Sequence, residues 1–171
     1  MDNNKTKNIV LAAMLAALCC VATMIIKVPS PLKGYLNLGD CAVLLSGWIL
    51  SPVYSFVAAG LGSALADLFS GYIVYAPATF LIKGLMALIA FYVFKNLHMN
   101  NKKLGKLPSR IISGIFAEIV MVLGYFMFEG IMYGFIASSV NILPNVIQGF
   151  AGLFIGVILI NIFEKLKIIQ F

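Results

Sequence analysis

Six apolar stretches, separated by little more than short polar or Pro/Gly punctuation, decide what this chain can fold into. They run near residues 8–26, 40–50, 52–69, 77–95, 108–135 and 141–165. Five of them approach or exceed the roughly 20 residues that cross about 30 Å of hydrocarbon as a helix. Lipid is therefore the solvent against which the chain folds. Composition points the same way: 62% of residues are hydrophobic and 11% charged, and the mean hydropathy is +1.03, a balance no water-exposed surface sustains. Six spans use most of the 171 residues. The expectation is one all-α integral membrane domain over 1–171, with no room for a soluble catalytic domain or an ATP-binding module.

The stretch at 40–50 is too short to cross alone. Ser51-Pro52 is either a kink in one long helix, giving five spans, or a tight turn between a short tilted helix and the next, giving six. Charge decides between them. With six spans and the N-terminus inside, Lys5, Lys7, Lys95, Lys102, Lys103, Lys106, Arg110, Lys165 and Lys167 fall on the inner side, Lys27 and Lys33 fall outside, and Lys83 lies in the membrane. Five spans would put the basic middle loop or the basic tail on the wrong side. Six spans with both termini cytoplasmic is the predicted topology. The net charge of +6 is thus a topology signal and not a nucleic-acid interface. Lys5 and Lys7 before a long apolar run resemble a signal peptide, but no small-residue cleavage pattern follows, so a retained first helix is expected.

Other features are expected to be structural. Cys19, Cys20 and Cys41 have no metal-ligand spacing and read as small apolar fillers. His98 falls in the hydrophilic stretch 96–107 and reads as solvated. No internal repeat relates the two halves.

Polar groups inside a bilayer are costly, so they face a bundle interior, a cavity or a partner. Glu118, Tyr125, Glu129 and Tyr133 recur near one face of the fifth stretch, Asn141, Asn145, Gln148 and Gly152 recur on the sixth, and Thr79 and Lys83 lie one turn apart on the fourth. If Pro108 is near the inner surface, Glu129 and Tyr133 lie outward at the level of Asn141, Asn145 and Gln148, with Glu118 deeper. The set suits a polar and aromatic pocket in which tyrosines stack on a ring while amides and a carboxylate fix its edge. Bland readings stand beside it. Tyr125 and Tyr133 suit an interfacial belt, Asn141 and Asp40 suit helix starts, Asp67 suits an anchor for a loop, and Lys83 suits neutralisation of Asp67 or Glu129. Ala12, Ala13, Ala16 and Ala17 form two small-xxx-small pairs that let another helix approach closely, within this chain or from a partner.

An order of motifs then carries a resemblance. Tyr35-Leu36-Asn37-Leu38-Gly39-Asp40 precedes a Gly/Ala-rich helix with Gly60, Gly62, Ala64 and Asp67, followed by Tyr75-Ala76-Pro77-Ala78-Thr79 and Ile82-Lys83-Gly84. Together with the alanine pairs, this arrangement is similar to the substrate-binding S components of energy-coupling factor (ECF) vitamin transporters, most strongly over 12–84. The resemblance implies a six-helix bundle in a prokaryotic cell membrane that captures a small water-soluble vitamin or precursor and binds no cofactor or metal. A transmembrane coupling subunit and two ATPases would supply the drive by hydrolysing ATP. Ala12, Ala13, Ala16 and Ala17 would meet the coupling subunit, and residues 28–39 would form a lid.

The site set is then Lys83, Thr79, Tyr125, Glu129, Tyr133, Asn141, Asn145, Gln148, Asn37 and Tyr75, with no catalytic residue. An acidic Glu129 beside amides favours a pyridoxine- or hydroxymethylpyrimidine-like ring, with riboflavin, pantothenate and folate as rivals. Two other classes compete: a two-aspartate intramembrane protease using Asp40 and Asp67, and an autonomous proton-coupled carrier using Lys83, Glu118 or Glu129.

Overall fold

The computed structural model describes residues 3–32, 34–100 and 104–167. Lys33, Lys102 and Lys103, used in the charge argument, lie outside the described residues. Helices α1 (Asn3–Ile25), α2 (Gly39–Ile49), α3 (Pro52–Phe69), α4 (Ala76–Lys95), α5 (Lys106–Tyr133), a single turn α6 (Phe135–Ser138) and α7 (Ile142–Lys165) succeed one another. A π-turn, Asn96–Asn100, extends α4, and a 3-10 turn, Ser139–Asn141, leads into α7. Five helices are long and apolar enough to cross a membrane, and α2 is the short one.

Neighbouring helices alternate in direction, and named contacts fix this. Thr23 and Cys19 of α1 face Gly39 and Ser46 of α2, so these two are antiparallel. Asp40 reaches Lys83 and Gly47 meets Ala87, which makes α2 parallel to α4. Gly60 meets Phe80 while Gly84 meets Phe56, so α3 opposes α4. It follows that α2 and α3 are antiparallel and that Leu50-Ser51-Pro52 is a tight turn, not a kink; Pro52 takes the first helical position, where its missing N–H costs nothing. The chain makes six passes.

Helix α2 sits at the centre. Residues 39–48 are all buried, enclosed by α1, α3, α4 and α7. Glycines permit this density. A Cβ on Gly47 would lie 2.6 Å from the Ala87 carbonyl oxygen, and one on Gly152 would meet Asp40 Cβ at 2.5 Å. A Cβ on Gly62 would collide with the Ala16 carbonyl oxygen. Without a hydrophobic force between helices in lipid, such close backbone approach is what holds them together.

At one end of the bundle, Arg110 makes a two-pronged bond with Glu164 at 2.8 and 3.0 Å, which Lys106 joins at 3.1 Å, tying the start of α5 to the end of α7. His98 departs from expectation there: instead of standing in solvent it is half-buried and stacks on Phe94 with ring centroids 5.4 Å apart. The three cysteines are free, and Cys19 and Cys41 are buried. At the opposite end, an element absent from the sequence reading appears. Val28–Pro29 (β1) and Tyr35–Leu36 (β2) pair antiparallel with Val28 opposite Leu36, forming a small ribbon between α1 and α2.

Candidate functional site

A second polar cluster, lining a cavity, lies at the ribbon end. There the C-terminal ends of α3 and α5 and the N-terminal ends of α2, α4 and α7 surround a cavity of about 30 Å³, close to one water's share of liquid volume. Its wall includes Thr79, Tyr125, Glu129, Asn145, Gln148, Asn37 and Tyr75 from the expected set, and also Ser30, Gly34, Tyr35, Asp67 and Tyr72.

The ribbon loop is tied down at several points. The Tyr35 hydroxyl donates to Asp67 Oδ1 at 2.6 Å, and its ring tilts against Tyr72 with centroids 4.6 Å apart. The Tyr75 hydroxyl donates to the Leu32 carbonyl at 2.7 Å and lies 3.4 Å from Glu129 Oε1. The Asn37 backbone N–H donates to Gln148 Oε1 at 2.9 Å, while Asn37 Oδ1 accepts from the Gly39 N–H. Burial first, and then the Asp67 carboxylate, push the Tyr35 hydroxyl above its ordinary value; burial and the charge of Glu129 do the same for Tyr75. Both phenols therefore stay protonated and remain donors.

Glu129 is 3% exposed. Its Oε1 accepts from Asn141 Nδ2 at 2.8 Å, whereas Oε2 has no partner, and neither do Asp67 Oδ2 and Asn141 Oδ1. Buried polar atoms are ordinarily paired. Two orphaned acceptors in the wall, on Glu129 and Asp67, with Asn141 behind Glu129 and outside the wall, mark a place shaped for donors that come from elsewhere. Thr79 Oγ1 and the Tyr125 hydroxyl share a bond of 3.1 Å across the floor.

Below that floor the sequence reading needs correcting. Lys83 pairs with neither Asp67 nor Glu129. Its ammonium is bonded to Asp40 Oδ1 and lies 5.4 Å from the Tyr125 ring centroid, one layer beneath the wall. Asp40 does stand in the first turn of α2, as a helix-start residue, but makes no cap bond; its Oδ2 accepts instead from Gln148 Nε2 at 2.7 Å. Gln148 thus links the loop, through Asn37, to the core ion pair. Asn141 does occupy the N-cap position of α7, but its amide is turned to Glu129 and Ser30 and makes no cap bond. Tyr133 is 37% exposed and does not line the cavity itself, but its side chain interacts with that of Tyr75 at the rim. The two-aspartate reading also loses its basis, because Asp40 is held by Lys83 and Asp67 by Tyr35, and no proton is shared between them.

The alanine pairs of α1 separate. Ala12 and Ala16 pack inward against the core, with Ala16 facing Gly62 of α3, while Ala13 and Ala17 are exposed.

The family model for the ECF-type riboflavin transporter, S component, matches residues 3–165. The chain belongs to this S-component family. A curated relative from Pyrococcus woesei, described as an uncharacterized protein in a gap 3' region, is 32% identical over 80% of the S component described here and 87% of its own length. The thiamine precursor transporter HmpT of Lactococcus lactis subsp. cremoris (strain MG1363) is 24% identical over 99% of this chain and 95% of its own. Among solved structures, the S component of a bacterial ECF transporter superposes with a TM-score of 0.75 and 28% identity, covering 95% of this chain and 98% of the other. Membership makes this S component a membrane transporter subunit, and the bundle of five long helices and the short α2 agrees with the expected architecture.

Proposed function

We propose that this S component captures a small, ring-containing vitamin precursor in the cavity under the 26–38 loop, and that partner ATPases drive its release through a transmembrane coupling subunit. The observation that carries the reading is the pair of orphaned buried acceptors in the cavity wall, on Glu129 and Asp67, within a setting of four tyrosines. A ring bearing amino or hydroxyl donors satisfies those acceptors while stacking on Tyr35, Tyr72, Tyr75 or Tyr125. The cavity is tiny with the loop down, so entry of any such ring requires the loop to lift.

A hydroxymethylpyrimidine- or pyridoxine-like compound suits this aromatic wall with its two unpartnered carboxylate oxygens best, and the name of the Lactococcus relative, a thiamine precursor transporter, supports it. Riboflavin is the second reading, favoured by the description of the matching family. The exposed pair Ala13 and Ala17 is the proposed docking face for the coupling subunit, with Ala12 and Ala16 supporting it from behind. The basic end of the bundle lies in the cytoplasm of a prokaryotic cell in this proposal, so both termini are cytoplasmic and the cavity opens outward.

Native mass spectrometry of the detergent-purified chain tests the ligand class, since a retained mass of a pyrimidine, pyridoxine or flavin separates the readings. Glu129→Gln is expected to weaken a basic ring by about tenfold to a hundredfold, the loss of a charge-assisted bond. Unchanged affinity in a titration with hydroxymethylpyrimidine and pyridoxine would remove the case for a basic ligand.

A further inference from the structure

A second cavity, of about 240 Å³, opens between α5 and α7. Its wall is apolar, built by Ile119, Val122, Val146, Phe150 and Leu153 among others, with one exception: Glu118. Glu118 is 8% exposed and neither of its oxygens has a hydrogen-bond partner. The residue lies close to the backbone of α7, where a Cβ on Gly149 would meet its Oε2 at 3.0 Å. It is also near enough to Asp40 and Lys83 to feel their charges. Lys83, however, is already bonded to Asp40. Beside the Asp40–Lys83 pair, Glu118 is thus a further buried ionisable group with no hydrogen-bond partner of its own. An unpaired acid in hydrocarbon is expensive and marks a functional position by default.

The geometry points to a binding site for a membrane-dissolved alkyl amine, its chain in the α5–α7 cavity and its nitrogen on Glu118. An amine offers several N–H donors, enough for both orphaned oxygens. The cavity holds roughly eight times a water's share of liquid volume, room for a chain of about eight carbons. Depth argues against a lipid headgroup. Glu118 lies twelve residues along α5 from Lys106, about 18 Å at 1.5 Å per residue, which is the middle of the hydrocarbon. The mouth is flanked by exposed Ile115, Ile119, Leu123 and Phe150, so entry is from the acyl chains. Nor does the cavity coincide with the docking face proposed above for the coupling subunit, because that face is on α1, which packs on α2 and α3, whereas this cavity lies between α5 and α7. The site is independent of the vitamin cavity and stands whether or not that reading holds.

The test uses the full chain in phosphatidylcholine nanodiscs and an octylamine carrying a photoreactive diazirine. Crosslinks are expected to concentrate on residues 115–123 and 146–153, to be suppressed about tenfold by excess octylamine and to be untouched by octane. Glu118→Leu and the cavity-filling Val146→Phe should each reduce labelling by a similar factor. Labelling spread evenly over the lipid-facing helices, equal competition by octane, or unchanged labelling in either variant overturns the proposal. So does a crosslink that forms only to a co-purified membrane protein.

Discussion

The pair Lys83 and Asp40 shows how far single residues were legible. A lysine in an apolar run needs a carboxylate, and that much follows from composition alone. Which carboxylate does not, because Asp40 is 43 positions away and sits where a helix-start residue is common; only the register of α2 against α4 brings the two together. Removing one member leaves a buried charge uncompensated. Lys83→Met is expected to destabilise the protein by about 3–5 kcal/mol, and adding Asp40→Leu should recover most of that loss. Thermal unfolding in detergent with and without the second change measures it. Tyr125 and Glu129 came together from spacing because four residues advance a helix by about one turn. Tyr133, the next in that series, reaches only the rim beside Tyr75: each four-residue step overshoots by about 40° and turns it partly outward. Ser30, Gly34 and Tyr72 lie in loops, where no period betrays a shared face.

At the level of elements, apolar runs and Pro/Gly punctuation foretold the helices to within a few residues, including the isolated short α2. The ribbon Val28–Pro29 with Tyr35–Leu36 was beyond reach, because two-residue strands have no alternation to detect and Pro29 argues against pairing. The split of the alanines was equally hidden: both pairs share one spacing, and only the approach of Gly62 decides that Ala16 turns inward. That approach makes a sharp prediction. Gly62→Ala drives a methyl into the Ala16 carbonyl, so α1 and α3 must separate at a cost of about 1–3 kcal/mol. Gly71→Ala provides a contrast of another kind, since nothing crowds that position but its φ of 83° strains any side chain. Melting curves in detergent measure both losses, and an unchanged midpoint for Gly62→Ala would contradict the close approach of α1 and α3.

Across the whole molecule, six alternating passes place the N-terminal end of α1 and the C-terminal end of α7 at one end, with the cavity at the other. Membrane-impermeant maleimide applied to intact cells is expected to modify a cysteine introduced at Lys27, beside the ribbon, and to reach one at Lys167 only after permeabilisation. Reversed labelling would overturn the proposed orientation, and labelling of both from outside would overturn the parity of the passes. The enclosure of α2 has a consequence for how the protein is made. Eleven residues span about 16 Å, and the surfaces that later enclose them on α4 and α7 have not yet been synthesised when the segment leaves the ribosome. Helix α2 therefore has no stable transmembrane state by itself and has to enter the bilayer as a hairpin with α3, turning at Ser51-Pro52. Glycosylation mapping of nascent chains should find no integration of a reporter segment carrying 39–50 alone and efficient insertion of one carrying 39–69.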